Sequence, residues 1–234
     1  MLHREEGSAP HPWLAMAPIP GNVSLFGIML TETGLVVTLG GYSASADPQQ
    51  LVSTFVFDPS SAGAAVASGV RADWTASADL AVKCADFSAS LAPTRGEGIA
   101  MAIGGFTGLY KSPDGVTNNL YTSSVETLDT TTGAMVDLGL PDYPSATGVT
   151  GSGTAVLPNG QVVAVGGFVI DCSGALAWEQ GPDLPWARSG LMCSSVSTGV
   201  LCMGGGNTDP TYSDAALSLR RHNMDQGAFH ERGS

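Results

Sequence analysis

Histidine and cysteine are the residue types whose spacing most readily reveals metal or nucleophile chemistry, and this 234-residue chain has four of each. All four histidines lie near the two ends, at His3, His11, His222 and His230. Because none lies between residues 12 and 221, the body of the chain has no histidine for a metal centre, a catalytic triad or a general base. We therefore expect no metal site and no catalytic histidine there.

The cysteines leave two interpretations open. They are Cys84, Cys172, Cys193 and Cys202, and none belongs to a CxxC pair, which excludes a zinc ribbon. Four reduced and mostly buried thiols are one expectation. The other is a disulfide between Cys193 and Cys202, which flank the turn 197–199 and would face each other across a hairpin in one register.

Carboxylates offer no clearer sign of catalysis. Asp86, Glu97 and Asp142 are available for acid–base work, but their spacing is not diagnostic of any such site. We therefore expect no catalytic residue and no enzymatic activity.

Charge and composition exclude several classes of function. The chain has 9 Lys and Arg against 21 Asp and Glu, a net charge of −12, and only five basic residues lie between 32 and 214. Nucleic-acid binding needs clustered Lys and Arg, so we expect none. No apolar run approaches the roughly 18 residues of a membrane helix. Residues 1–20 lack the apolar stretch of a signal peptide, so the sequence predicts a cytoplasmic protein without membrane contact.

The elements that must position any site follow from a repeat. Gly and Pro, at 31 and 14 residues, disfavour long helices and suit short strands joined by tight turns. Apolar runs that end in a glycine pair recur four times, and each is short enough to be a buried strand. The runs are 35–41, 99–105, 162–167 and 200–205.

Each run is flanked by similar segments. An apolar segment and a turn precede it, and in the first three units a strand that ends in an apolar residue plus Asp follows it, whereas the last unit has Arg220 at that position. The Asp residues are Asp58, Asp129 and Asp171, and we expect each carboxylate to accept backbone N–H bonds in the turn that follows. A last strand then carries an aromatic residue or a substitute, Trp74, Met135 or Trp178.

Four strands per unit, with a glycine pair ending the second, resemble the Kelch repeat, which is about 50 residues long. The segment 178–190 followed by Gly204 and Gly205 is the closest match, and 155–167 resembles the blades of galactose-oxidase-like proteins. The resemblance covers roughly residues 13–219 and implies an all-β, Kelch-like β-propeller of about four blades. The copper of galactose-oxidase-like enzymes needs histidine ligands that this domain lacks, so no cofactor is expected.

The ends of the chain allow two architectures. We predict a flexible N-terminus at 1–12, the blades at 13–220 and a disordered tail at 221–234. Residues 13–20 have the pattern of a fourth strand and would complete the last unit, giving a closed four-bladed ring. A fragment of a six- or seven-bladed ring explains the same pattern. The third unit is expected to have three strands or to be a damaged blade, because Asp171 follows Gly167 by only four residues.

Candidate binding residues lie in the loops that follow the second strand of each unit, at 42–51, 106–120 and 207–211. Strand direction places these loops on one face. Their aromatic and polar side chains suit contact with a protein or a glycan. The candidates are Tyr42, Phe106, Tyr110, Lys111, Asn118 and Asn119.

Arg188 and Trp186 add a second candidate contact. The Kelch resemblance implies that Arg188 points into the central pocket and binds acidic groups, although bonding to neighbouring carbonyl groups explains an arginine there equally well. Trp186 lies beside it in the loop and is a candidate for surface contact. The sequence thus predicts a non-catalytic binding or scaffold module for a protein partner. The alternative is a sugar-binding or sugar-active Kelch-type propeller with a glycan ligand.

Overall fold

The protein is all-β, with almost no helix, in the part of the chain that a computed structural model describes. That part comprises residues 17–61, 73–92, 98–157, 159–165, 168–171, 177–181, 184, 189–197, 199–206, 216–220 and 230–231. Sixteen strands there form four antiparallel sheets of four strands each. The predicted all-β class is confirmed. Within the same stretches no helix has the length and apolar character needed to cross a membrane.

In each sheet the strands pair in the order in which they occur along the chain. The first sheet contains β1 (Gly27–Leu30), β2 (Val36–Tyr42), β3 (Gln50–Phe57) and β4 (Thr75–Ala76). The second contains β5 (Ser88–Leu91), β6 (Ile99–Lys111), β7 (Thr117–Asp129) and β8 (Ala134–Met135). The third contains β9 (Gly153–Val156), β10 (Gln161–Val165), β11 (Phe168–Asp171) and β12 (Trp178–Gln180). The fourth contains β13 (Ser189–Val196), β14 (Gly199–Gly206), β15 (Ala216–Arg220) and β16 (His230–Glu231).

In the first and second sheets, the glycine pair marks the point where the buried part of the second strand ends. Gly104 and Gly105 have φ angles of 69° and 121°, a region that disfavours any residue with a Cβ. The pairing register of β6 with β7 shifts between Ile103 and Gly105, and a side chain at Gly104 would overlap Val149. The glycines therefore permit a bulge and a close approach of the next chain segment.

Three hydrophobic cores hold the sheets together, one at each junction between consecutive sheets. Val37 and Leu39 of the first sheet pack with Ala100 and Ala102 of the second. The second sheet's other face packs against the third, and the third's other face packs against the fourth. The core between the second and third sheets includes Met101, Ile103, Val162 and Ala164. The core between the third and fourth sheets includes Ala155, Val163, Val165, Leu191 and Val200.

The first strands of consecutive sheets lie side by side and are tied by hydrogen bonds. β1 contacts β5, β5 contacts β9, and β9 contacts β13. The Thr154 hydroxyl donates to the Ala89 carbonyl oxygen at 2.7 Å, and the Ser195 hydroxyl donates to the Val156 carbonyl oxygen. The described strands show no comparable contact between β13 and β1. The sheets therefore form an ordered row in which the second and third are covered on both faces.

The expected Asp turns are present where the side chains are described. The Asp58 carboxylate accepts the Ser60 amide at 2.8 Å, and the Asp129 carboxylate accepts the Thr131 and Thr132 amides at 2.8 and 3.1 Å. The hydroxyl and amide of Ser60 lower the pKa of Asp58. Desolvation acts to raise the pKa of Asp129, but its hydrogen bonds outweigh that effect and lower it.

A disulfide joins Cys193 and Cys202, which lie directly opposite each other on β13 and β14 with Cα atoms 4.1 Å apart. The expectation of four reduced thiols is therefore wrong for this pair. The expected disulfide is present, because the register that pairs Val196 with Gly199 also places Cys193 directly opposite Cys202. Disulfides persist in oxidising compartments, so this bond gives no support to a cytoplasmic location, which stays a prediction.

The third unit has four strands, so the expectation of three is wrong. β11 begins at Phe168, directly after the glycine pair, and pairs with both β10 and β12. Only two residues separate the end of β10 at Val165 from the start of β11 at Phe168, so no long loop connects them. A unit therefore keeps its third strand when the connecting loop is lost.

The prediction that residues 13–20 complete the last sheet is not tested, because 13–16 lies outside the described residues. The fourth position of the last sheet is held by β16, which pairs with β15 through Leu217 and Ser218. β16 lies inside 221–234, which the sequence predicts to be disordered. Its residues are polar because a short strand at a sheet edge needs only backbone pairing. Of the segment 13–20, residues 17–20 are described and form no strand, and 1–12 lies outside the described residues.

The close approach of β9 to β13 predicts that a side chain at Gly153 destabilises the fold. A methyl group there would overlap Sγ of Cys193 and lie 3.1 Å from the Leu191 carbonyl oxygen. We expect Gly153→Ala to lower the free energy of unfolding by about 1–3 kcal/mol through overpacking, measured by urea denaturation. In a Cys193→Ala/Cys202→Ala background the same substitution should cost less, because the sulfur is gone. An equal cost in both backgrounds would show that the overlap is not the cause.

Candidate functional site

A long hairpin projects from the second sheet and is the most prominent surface feature among the described residues. β6 and β7 have 13 residues each, whereas their partners β5 and β8 have 4 and 2. Beyond Phe106, which still bridges to Ala85, the two long strands pair only with each other among the described residues. We call residues 107–121 the hairpin arm.

A tight turn closes the tip of the arm. The Ser112 amide donates to the Val116 carbonyl oxygen and the Gly115 amide to the Ser112 carbonyl oxygen, both at 2.8 Å. The Asp114 carboxylate accepts the Ser112 hydroxyl and the Val116 amide, and these bonds lower the pKa of Asp114. The turn therefore fixes the register of the arm, with Tyr110 opposite Asn118 and Leu109 opposite Asn119.

Large apolar side chains are exposed along the arm. Leu109 is 64% exposed and Tyr110 is 49% exposed, and Leu120 and Tyr121 on the opposite strand are 45% and 37% exposed. Tyr121 is held in place, because its ring packs on Phe106 with centroids 6.1 Å apart and its hydroxyl accepts the Asn119 amide at 2.8 Å. The arm thus presents an ordered apolar surface to solvent.

Two open grooves flank the base of the arm. One, of about 530 Å³, lies between the arm and the loop that follows β2. Its walls include Tyr42, Pro48, Gln50, Phe106 and Leu109. The loop is closed by a hydrogen bond from the Ser43 amide to the Gln49 carbonyl oxygen at 2.8 Å. The first and second sheets therefore contribute one wall each.

The second groove, of about 640 Å³, lies on the other side of Gln50 and Gly108. Lys83 and Val82 form one wall, and Leu120 and Tyr121 of the arm contribute to the other. The Glu126 carboxylate accepts the amides of Ala81 and Val82 and so anchors the first wall to β7. An anchored wall gives this groove a defined shape before any ligand binds.

The structure brings together part of the predicted site. Tyr42 and Phe106 line the same groove. The arm carries the four other described candidates: Tyr110, Lys111, Asn118 and Asn119. The expectation that 106–120 is a loop is wrong, because all but its tip is paired strand. Arg188 and Trp186, and the loop 207–211, lie outside the described residues.

Sequence reasoning missed the apolar residues that dominate the arm, namely Leu109, Leu120 and Tyr121. The signal was present in the Ser-Pro-Asp-Gly sequence at 112–115, which is typical of a turn and is flanked on both sides by strand-forming residues. Gln50 was missed because a single glutamine carries no pattern. Its position is set by pairing opposite Tyr42.

Two observations concern the reactive side chains of the described residues. In the described stretches no three or more His, Cys, Asp or Glu side chains lie together in a way that could hold a metal ion. Cys84, the free cysteine that the structure describes, is buried between the first two sheets. Burial, followed by the nearby Glu126 charge, raises the pKa of Cys84 to about 12. A thiol with that pKa stays protonated at neutral pH and is a poor nucleophile.

No protein-family model matches this sequence, and no curated protein matches it. The arm and its two grooves must therefore be interpreted from their own geometry.

The raised pKa of Cys84 predicts an unreactive thiol. In a Cys172→Ser variant, we expect Ellman's reagent at pH 8 to modify native Cys84 at least about a thousandfold more slowly than the same cysteine in the unfolded chain, because the thiolate fraction falls tenfold per pKa unit. Stopped-flow absorbance with and without denaturant measures both rates. Native reaction at the rate of an exposed thiol would contradict the buried position.

Proposed function

We propose that this protein is a non-catalytic binding module that recognises a protein partner through the hairpin arm and the two grooves at its base. The observation that carries the proposal is the exposure of Leu109, Tyr110, Leu120 and Tyr121 on an ordered hairpin. Aromatic and aliphatic side chains raised above a polar surface are typical of protein interfaces.

The base of the arm favours recognition by a preformed surface. The inner halves of β6 and β7 belong to the four-stranded second sheet, where Met101 and Ile103 are fully buried. Only the arm extends beyond that sheet. A partner would therefore meet side chains whose backbone is already fixed, which reduces the entropy lost on binding.

The edges of the arm indicate the form of the partner. In the described part of the chain, no third strand pairs with residues 108–111 or 117–121. Unpaired strand edges accept an extended segment of another protein through backbone hydrogen bonds, and neighbouring apolar side chains then provide specificity. We infer that the partner contributes an extended segment with apolar side chains that enter the grooves beside Leu109 and Leu120.

We also propose that the four sheets are blades of a Kelch-like β-propeller. Three observations support this arrangement. Each sheet has four strands in chain order, and the first strands of successive sheets lie side by side. The second strands of the first, second and fourth sheets each contain a glycine pair with positive φ. In a propeller the loops after the second strands share one face. The loop 42–50 and the arm 107–121 line one groove, as that arrangement requires.

Loss of the arm's apolar side chains should remove partner binding. We expect Leu109→Ser/Tyr110→Ser to reduce partner capture at least about tenfold, because truncating buried interface anchors costs 1–2 kcal/mol or more. Quantitative mass spectrometry of proteins captured by the immobilised full chain measures this. A glycan array with the same variants tests the sugar-binding alternative.

The matched control is Leu25→Asn, which removes another exposed apolar side chain, 57% exposed, outside the arm. Asparagine tolerates the φ of 53° at this position. Capture that survives the control and not the arm variant supports the proposal. Equal capture by wild type and arm variant, or arm-dependent binding to glycans alone, would overturn it.

A further inference from the structure

Gln50 lies between the two grooves at the base of the hairpin arm and lines both of them. It is the first residue of β3, and its backbone pairs opposite Tyr42 on β2. The first sheet therefore fixes the backbone of Gln50. Its side chain faces the arm, because a Cβ built at Gly108 would lie 3.8 Å from Oε1 of Gln50.

The side-chain amide of Gln50 is buried without a partner. The residue is only 7% exposed, and among the described residues no hydrogen bond reaches its amide oxygen or nitrogen. A glutamine amide has two donors and an acceptor, and buried polar groups are normally hydrogen-bonded. Leaving such an amide unpaired costs free energy in the unliganded protein. The amide therefore marks a place where a ligand would supply the missing bonds.

The arm leaves this amide accessible from the grooves. Gly108 has no side chain that would cover it, and the pairing register of β6 with β7 shifts between Phe106 and Gly108. The shift leaves Thr107 without a directly opposed partner on β7, as in a β-bulge. A bulge followed by a glycine thus keeps the space beside the Gln50 amide open.

An extended chain has the hydrogen-bonding groups that the amide lacks. On such a chain the backbone N–H and C=O of one residue point to the same side. The amide nitrogen of Gln50 can donate to that carbonyl oxygen while Oε1 accepts the N–H. The edge of the arm at 108–111, which no third strand pairs with among the described residues, aligns a chain of this kind beside Gln50. The site therefore suits the main chain of an extended segment.

The position of the grooves predicts which side chains of that segment matter. Side chains two residues apart on an extended chain point to the same face and lie about 6.6 Å apart. The grooves lie on the two sides of Gln50. Leu109 lines both grooves, and Leu120 and Tyr121 line the second. A segment whose central residue is bound by Gln50 would therefore place one apolar side chain in each groove.

Opposite charges at the two grooves give the segment a direction. Asp47 lines the first groove and Lys83 lines the second. Both side chains are exposed, and neither forms an ion pair with another described residue. Charge complementarity at an interface determines specificity and orientation more than affinity. The preferred segment thus carries a basic residue beside Asp47 and an acidic residue beside Lys83.

We propose that the Gln50 amide binds the backbone N–H and C=O of one residue in an extended partner segment, and that the apolar side chains on either side of that residue enter the two grooves. This inference rests on the proposed function and names the chemistry of the partner, which is two apolar residues separated by one residue. Gln50 is therefore a binding residue whose amide does not stabilise the free protein.

Random peptides displayed on phage and selected on the immobilised full chain provide the probe. We expect the enriched peptides to share two apolar residues separated by one residue, with a basic and an acidic residue at opposite ends. Fluorescence anisotropy then measures the Kd of one enriched peptide. Gln50→Leu should raise that Kd at least about tenfold, because both hydrogen bonds are lost. The free energy of unfolding in urea should stay equal or increase, since an apolar group of similar size replaces an unpaired amide.

An ester substitution in the peptide separates main-chain recognition from packing. Replacing the backbone N–H of the central residue by an ester oxygen removes one donor and leaves the shape of the peptide almost unchanged. The ester should raise the Kd for wild type about fivefold and should have little effect on the Kd for Gln50→Leu, which has no acceptor at this position. An equal loss in both proteins would overturn the proposal.

The matched control is Gln161→Leu, because Gln161 is likewise the first residue of its strand, β10, and lines neither groove. Its amide oxygen already accepts the Asn159 amide at 2.7 Å, so this variant should keep the wild-type Kd. Peptides that need Leu109 and Tyr110 but bind Gln50→Leu as tightly as wild type would overturn this inference alone. A selection that enriches no peptide dependent on those two residues would overturn the proposed function and this inference together.

Discussion

Burial of apolar sheet faces against neighbouring sheets is the constraint on which the rest of this structure depends. A strand of this protein alternates between a side chain for the preceding sheet and one for the following sheet, as Ala102 and Ile103 do on β6. A four-stranded sheet with two apolar faces cannot be stable alone. The sheets must therefore stack, and the small residues of the first strands, such as Gly27 and Gly153, set how closely they do so.

On the hairpin arm, no neighbouring sheet among the described residues covers the strands. Up to Ile103, the side chains of β6 are fixed by packing between sheets and have no freedom to vary for binding. Beyond Phe106 the strand extends past the stacked sheets, and Leu109 and Tyr110 are exposed to solvent. The same two strands thus provide a rigid base and an exposed surface. Recognition residues can change on the arm without disturbing the cores that hold it.

Sequence patterns identify the features that depend on local chemistry and miss those that depend on pairing partners. The glycine pairs and the Asp58 and Asp129 turns could be predicted because φ angles and short-range hydrogen bonds belong to single residue types. The disulfide was undecided, because only the register of β13 with β14 makes Cys193 and Cys202 face each other. β16 could not be found at all, since edge pairing of polar residues leaves no hydrophobic period. The arm was mistaken for a loop because its exposed side chains lack strict alternation.

The arm and its grooves depend on the first two sheets and on the core between them. The described walls of both grooves come from residues 42–50, 81–83 and 106–122. The third sheet packs on the other face of the second and buries Met101 and Ile103, so it supports the base of the arm without lining the grooves. Stacking of the sheets therefore fixes the position of the arm, and the side chains of the arm determine what it can recognise.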